Sequence, residues 1–72
     1  MKRFYALRKI GTDQMIYVLS NTEYRALLTA PGEESDWEVL GSNGQKTFLK
    51  NETLFKDIYK KTAMQRLMKE PI

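Results

Sequence analysis

The groups in this chain that could do chemistry are carboxylates, ammonium and guanidinium groups and phenols, because histidine and cysteine are both absent. Without histidine, the side chain most used for proton transfer near neutral pH and for zinc ligation is missing. Ser-His-Asp and Cys-His arrangements are therefore excluded. Without cysteine, neither a disulfide framework nor a thiolate metal site is available. The carboxylates concentrate in one run, Glu33, Glu34, Asp36 and Glu38. Such a cluster could hold a divalent cation or supply paired acid–base groups. It lacks EF-hand spacing, and a charge run in a loop reads first as a solvated surface. No catalytic residue, metal ligand or cofactor is assigned, and the chain is expected not to be an enzyme.

The cations carry more information. Lys2, Arg3, Arg8 and Lys9 crowd the first ten residues, and Lys46, Lys50, Lys56, Lys60, Lys61, Arg66 and Lys69 dominate the stretch from Lys46 to Lys69. If these two segments meet in the fold, one side of the protein is strongly positive. Aromatic rings interleave with the cations in "KRFYALRK", the composition of a surface on which bases stack and phosphates bind. Strand alternation points Phe4 and Ala6 opposite to Tyr5 and Leu7, so one of the two rings could lie exposed beside Arg3. The nucleic-acid-binding candidates are therefore Lys2, Arg3, Tyr5, Arg8, Lys9, Lys56, Lys60 and Lys61, with Tyr17 as a second stacking ring. Against this stands the need of a 72-residue domain for most of its rings in the core.

Three short motifs are weaker. Gly41-Ser42-Asn43-Gly44 matches the GXXG loop with which KH domains clamp a nucleic-acid backbone. Its flanks, "WEVL" and "KTFL", read as strands, so a hairpin turn is the better assignment. "GQKT" lacks the full phosphate-loop pattern and no βα unit follows it. Asn51-Glu52-Thr53 is a glycosylation sequon by pattern alone.

The elements that must position these residues can be read from periodicity and turn chemistry. "RFYALRKI" and "MIYVLS" are strand-like and flank Gly11-Thr12-Asp13-Gln14, which predicts a hairpin. In the second strand Met15, Tyr17 and Leu19 oppose Ile16 and Val18. Both faces are apolar, which suggests a central strand. "SNTEYRALLTAPG" carries a capping-box spacing from Ser20 to Glu23 and apolar Tyr24, Leu27 and Leu28, predicting one or two helical turns in preference to a short strand. Trp37–Leu40 and Lys46–Leu49 read as a second hairpin around Ser42-Asn43-Gly44. Asn51 or Thr53 then caps a helix that Pro71 ends.

That last helix has a divided apolar surface. At about 100° per residue, Leu54, Phe55, Ile58 and Tyr59 form one arc, with Lys56, Lys60 and Lys61 outside it. Ala63, Met64, Leu67 and Met68 form a second group displaced around the axis, and one flat contact cannot bury both. Either the helix ends or bends near Thr62, or its last turns meet another subunit or a partner. Met64, Leu67 and Met68 are the partner-binding candidates, methionine being adaptable to varied surfaces. The alternative is that they close the end of the core.

With 42% apolar residues, the composition is that of one folded domain spanning residues 1–72. No apolar run approaches a membrane span, and the amino-terminal segment is unlike a signal peptide, so no membrane is expected and the cytoplasm is the expected compartment. The expected fold is α+β, a small antiparallel sheet of three to four strands packed against one C-terminal helix. Phe4, Leu7, Ile16, Val18, Leu40, Phe48, Leu54, Phe55 and Ile58 are the expected core.

In layout, "MKRFYALRK", a hairpin and then "KTFLKNETLFKDIYKK" resemble the small accessory proteins of tailed phages, including those of the T-even type. Many of these pair a short antiparallel sheet with one carboxy-terminal helix. The likeness spans most of the chain and rests on no specific motif, so no residue roles follow from it. It implies a non-enzymatic protein of the infected bacterial cytoplasm that binds and neutralises or redirects a host or defence protein, with a basic surface contacting RNA or DNA alone or within the complex. Two other classes fit the same residues: a sequence-tolerant nucleic-acid-binding protein, and a small homodimeric scaffold joined through Met64, Leu67 and Met68.

Overall fold

The computed structural model describes residues 1–71. It is an α+β fold with strands β1 (Arg3–Lys9), β2 (Met15–Ser20) and β3 (Trp37–Gly44) and helices α1 (Glu23–Thr29), α2 (Gln45–Lys50) and α3 (Glu52–Lys69). A single 3-10 turn, Glu34–Asp36, leads into β3. The strands form one antiparallel sheet in the order β2-β1-β3.

The β1–β2 hairpin forms as its turn chemistry predicts. Gly11 adopts φ 84°, a left-handed conformation that favours glycine. Thr12 closes the turn by donating from Oγ1 to the Lys9 carbonyl at 2.8 Å while accepting from the Gln14 amide at 3.0 Å. The central strand is β1, however, and β2 is an edge. Its two apolar faces are explained by helices on both sides of the sheet.

On one face, Tyr5 and Leu7 of β1 pack with Ala26 and Ala30 from α1 and its end and with Trp37, flanked by Ile16, Val18, Leu27 and Val39. Trp37 donates its indole N–H to the Pro31 carbonyl at 2.8 Å, which anchors the polar loop beneath α1. The α1 helix is capped by Thr22, whose hydroxyl accepts from the Arg25 amide at 3.1 Å, instead of by the predicted Ser20. Its buried residue is Ala26, whereas Tyr24 and Leu28 face outward.

The opposite face is lined by rings. Phe4 stacks on Phe48 at 4.5 Å between centroids, Phe48 continues to Tyr17 and Phe55, and Tyr59 completes the row beside Phe55 and Tyr17. Phe48 reaches this row from a helix. The second hairpin expected from Asn43-Gly44 is absent, because β3 runs unbroken through Gly44 and pairs with β1 along its length, with a bulge opposite Ala6 and Leu7. Residues 45–50, QKTFLK, then form α2. Gln, Lys and Leu are good helix formers, and a helix lets Phe48 alone of this segment turn inward while Lys46 and Lys50 stay in water.

Asn51 separates α2 from α3. Its side-chain amide donates to the Thr47 carbonyl at 3.2 Å, so it finishes α2 and makes no side-chain cap on α3. The α3 helix is then continuous through Thr62, with no break there. Phe55, Tyr59, Thr62 and Ala63 face the sheet. Close approach to β3 requires glycine at one point: a Cβ on Gly41 would lie 2.8 Å from Tyr59 Oη. Tyr59 in turn donates to Asn43 Oδ1 at 2.7 Å.

Of the expected core, Leu7 and Phe48 are buried, and Phe4, Ile16, Val18, Leu40 and Phe55 are partly buried. Leu54 and Ile58 are not core residues, being 57% and 45% exposed.

Candidate interaction surface

The residues proposed for nucleic-acid contact do not share a surface. Alternation along β1 sends Tyr5 into the α1-side core, where it is buried. It therefore has no face to offer a base, which corrects the stacking role expected of it. Arg8 falls on the other face of the sheet and is also buried, so it cannot serve as a surface phosphate contact either. Its guanidinium donates from Nε to Glu38 at 2.6 Å, from Nη1 to the Thr12 carbonyl at 2.8 Å, and from Nη2 to Glu70. Arg66 from α3 donates to the other oxygen of Glu38 at 3.1 Å. Burial alone would lower the Arg8 pKa, but the two carboxylates outweigh it and raise it, so the guanidinium stays charged.

This network clasps the end of α3 to β1 and β3, beside a cleft of about 480 Å³ bordered by Thr62, Gln65 and Lys69. Both carboxylates are committed to the same guanidinium, an arrangement suited to holding the helix in place. It also divides the acidic run: Glu38 belongs to the clasp, while Glu33, just before the 3-10 turn, and Glu34 and Asp36 within it lie exposed. Among the described residues, no cluster of three or more potential ligands is placed to hold a metal ion.

The amino-terminal cations separate along β1. Lys2 and Arg3 sit at one end and Lys9 at the other, roughly 20 Å away at strand rise. Lys9 lies next to the acidic turn, since the following Ile10 amide donates to the Asp36 carbonyl. At the opposite end, Lys2 and Lys46 line a cleft of about 370 Å³ together with Gly44, Gln45 and Thr47. Arg3 is anchored beside it by bonds to Ser42. The charge is thus polarised from end to end of the sheet, and Lys46 is a member of the basic end that the strand assignment of its segment hid.

The α3 lysines are placed differently again. Lys56 pairs with Glu52 at 3.2 Å and lies over the Tyr17 ring, Lys60 pairs with Asp13 at 3.4 Å, and Lys61 pairs with Asp57 at 3.1 Å. Lys61 also points about 100° around the axis from Lys60. Each of these three lysines has a carboxylate neighbour, so the expected phosphate-binding stripe is close to electrically balanced. Tyr17 is half-buried under α3, and its phenol is raised by burial and by the neighbouring Tyr59; burial also raises Tyr59, against an opposing effect of Arg3.

Large apolar side chains are also open on α3. Met64 and Met68 are 47% and 84% exposed, and Leu54, Ile58 and Leu67 are also exposed. Leu49 of α2 is exposed as well. The expected patch of Met64, Leu67 and Met68 is therefore open to solvent. Leu54 and Ile58, assigned from sequence to the core, extend its apolar character along the helix. Their arc was visible in the periodicity; that the aromatic row had already filled the sheet-facing side was not. Among the described residues, no helix is long and apolar enough to cross a membrane. No protein-family model, curated protein or solved structure matches the chain.

Proposed function

We propose that this chain is a non-enzymatic binding protein that docks a protein partner on the outer side of α3. The observation that carries this reading is the set of large apolar side chains, Leu54, Ile58, Met64, Leu67 and Met68, left exposed on a helix whose sheet-facing side is already occupied by Phe55, Tyr59 and Ala63. Apolar surface of that extent on a small domain is the usual mark of a contact site, and methionines suit it to adaptive packing. The layout shared with tailed-phage accessory proteins directs the partner class toward a host or defence protein that the chain neutralises or redirects. The basic end formed by Lys2, Arg3 and Lys46 is the place on this protein suited to RNA or DNA, alone or within such a complex.

The test is affinity capture from bacterial lysate with the wild-type protein, with Met64→Asp/Met68→Asp and with Lys2→Glu/Lys46→Glu, followed by titration of each purified captured protein. A partner whose affinity falls at least about tenfold with the Asp variant, and which is still captured after nuclease treatment, is the expected result. Capture that ignores the Asp substitutions but disappears with nuclease or with the Glu substitutions would replace this reading by a sequence-tolerant nucleic-acid-binding function.

A further inference from the structure

The exposed side of α3 has a repeat that the docking reading does not use. Leu54, Lys61 and Met68 recur at seven-residue intervals, and Asp57 and Met64 occupy the intervening fourth positions. This is heptad spacing, which aligns the five side chains along one seam. At about 100° per residue the seam lies on the side of the helix away from Phe55 and Tyr59. All five side chains are exposed: Leu54, Met64 and Met68 are among the open apolar residues, and the side chains of Asp57 and Lys61 are 58% and 72% exposed.

We infer that the seam is occupied in the isolated protein by a second copy of the chain, with the two α3 helices antiparallel about a two-fold axis. The charge pattern selects this occupant and this direction. In an antiparallel pair, residues facing each other lie symmetrically about one position in the sequence. Leu54 and Met64 are symmetric about position 59, and so are Asp57 and Lys61. One register therefore places Leu54 on Met64 of the other copy and Asp57 on Lys61 of the other copy, each contact occurring twice. A parallel pair would set Asp57 against Asp57 and Lys61 against Lys61. Like charges at a seam oppose association, and a charged seam position sets register and orientation at a cost in affinity. The two apolar layers lie outside the two ionic ones, and Ile58 borders the seam on the side nearer the sheet. This assignment rests on the outer side of α3 being a docking surface and names the occupant that the surface takes when no other partner is present.

The natural absence of cysteine makes the register directly testable. Positions 54 and 64 are ten residues apart, about 15 Å along a helix, too far for a disulfide within one chain. The double variant Leu54→Cys/Met64→Cys, oxidised mildly, should give a discrete disulfide-linked dimer, while Leu54→Cys and Met64→Cys alone should remain monomeric on a non-reducing gel. Sedimentation of the cysteine-free protein over a dilution series should show a monomer–dimer equilibrium. Asp57→Lys should weaken it about tenfold or more by facing lysine with lysine, and Asp57→Lys/Lys61→Asp should restore most of the loss; circular dichroism confirms that each variant folds. A wild-type protein that stays monomeric at its highest soluble concentration overturns the inference, as does dimerisation insensitive to the charge changes or equal cross-linking by the single-cysteine variants. If the wild type is monomeric while Met64→Asp/Met68→Asp still abolishes capture of a partner, the docking surface stands and only its self-pairing falls.

Discussion

Replacing Arg8 with methionine should remove a large part of the stability of this protein, more than its place in the basic amino-terminal run would suggest. The substitution keeps an unbranched stem of similar packing but removes the guanidinium that joins Glu38, Glu70 and the Thr12 carbonyl. Breaking a buried ion pair costs about 3–5 kcal/mol because the partner charge is left behind. Two features reduce that figure here. The Glu38 and Glu70 side chains are 26% exposed, so water screens them in part, and Arg66 still holds one oxygen of Glu38. About 2–3 kcal/mol is the expected loss, set against a total stability of roughly 4–10 kcal/mol for a domain of this length. Urea unfolding followed by fluorescence of Trp37, the single and buried tryptophan, reads it. At about 1 kcal/mol per molar urea for a small domain, the midpoint should fall by about 2–3 M. Adding Glu38→Gln and Glu70→Gln to Arg8→Met should recover part of the loss, since no unpaired buried charge then remains. A loss below about 0.5 kcal/mol, the range of ordinary surface substitutions, would refute the clasp, and so would a triple variant whose costs simply add.

Two further outcomes follow from the packing of α3. Gly41→Ala should destabilise by about 1–3 kcal/mol, because its Cβ would sit 2.8 Å from Tyr59 Oη and 3.0 Å from Cε1 and displace the Tyr59 ring from its bond to Asn43; wild-type stability in urea would show that the ring is not held against this strand. Raising the pH should also loosen the protein, since burial raises the Tyr17 and Tyr59 phenols. The folded state then binds those protons more tightly than the unfolded chain, so their contribution is complete below the ordinary phenol value of about 10 and is lost as pH rises through the folded values. The melting temperature of the wild type should therefore fall more between about pH 9 and pH 11 than that of Tyr17→Phe/Tyr59→Phe, and equal slopes would contradict the assignment.

Elements governed by local rules were legible in the sequence. Gly11 to Gln14 specify the first hairpin through turn chemistry, the short α1 was expected in place although its cap is Thr22 and its buried residue Ala26, and the α3 range follows from its composition and Pro71. Residues 45–50 were misassigned because Thr47, Phe48 and Leu49 have the look of a strand, and Asn43-Gly44 has the look of a hairpin turn. The deciding term was tertiary. Pairing with β1 holds residues 41–44 extended, and the Phe4 ring gives Phe48 a stacking partner reachable from a helix. Local propensity is a fraction of a kcal/mol per residue, small beside the burial of a ring.

By itself the sequence determined what this protein lacks the groups to do and the mixed architecture. Packing redrew the expected division of the last helix: Ala63 faces the sheet with Phe55 and Tyr59, while Leu54 and Ile58 stay outside with Met64, Leu67 and Met68. Only the tertiary structure decided which charges and rings are free. Arg8 and Lys9 are neighbours in sequence, yet one is buried in a carboxylate clasp and the other is exposed, because successive strand residues face opposite sides. Leu54 and Phe55 likewise differ in burial although both are apolar and adjacent, because a helix turns about 100° between them and the sheet presents its aromatic row to only one. A sequence records the type and spacing of its side chains. Their availability depends on which surface arrives opposite them, and that is set by contacts between segments far apart in the chain.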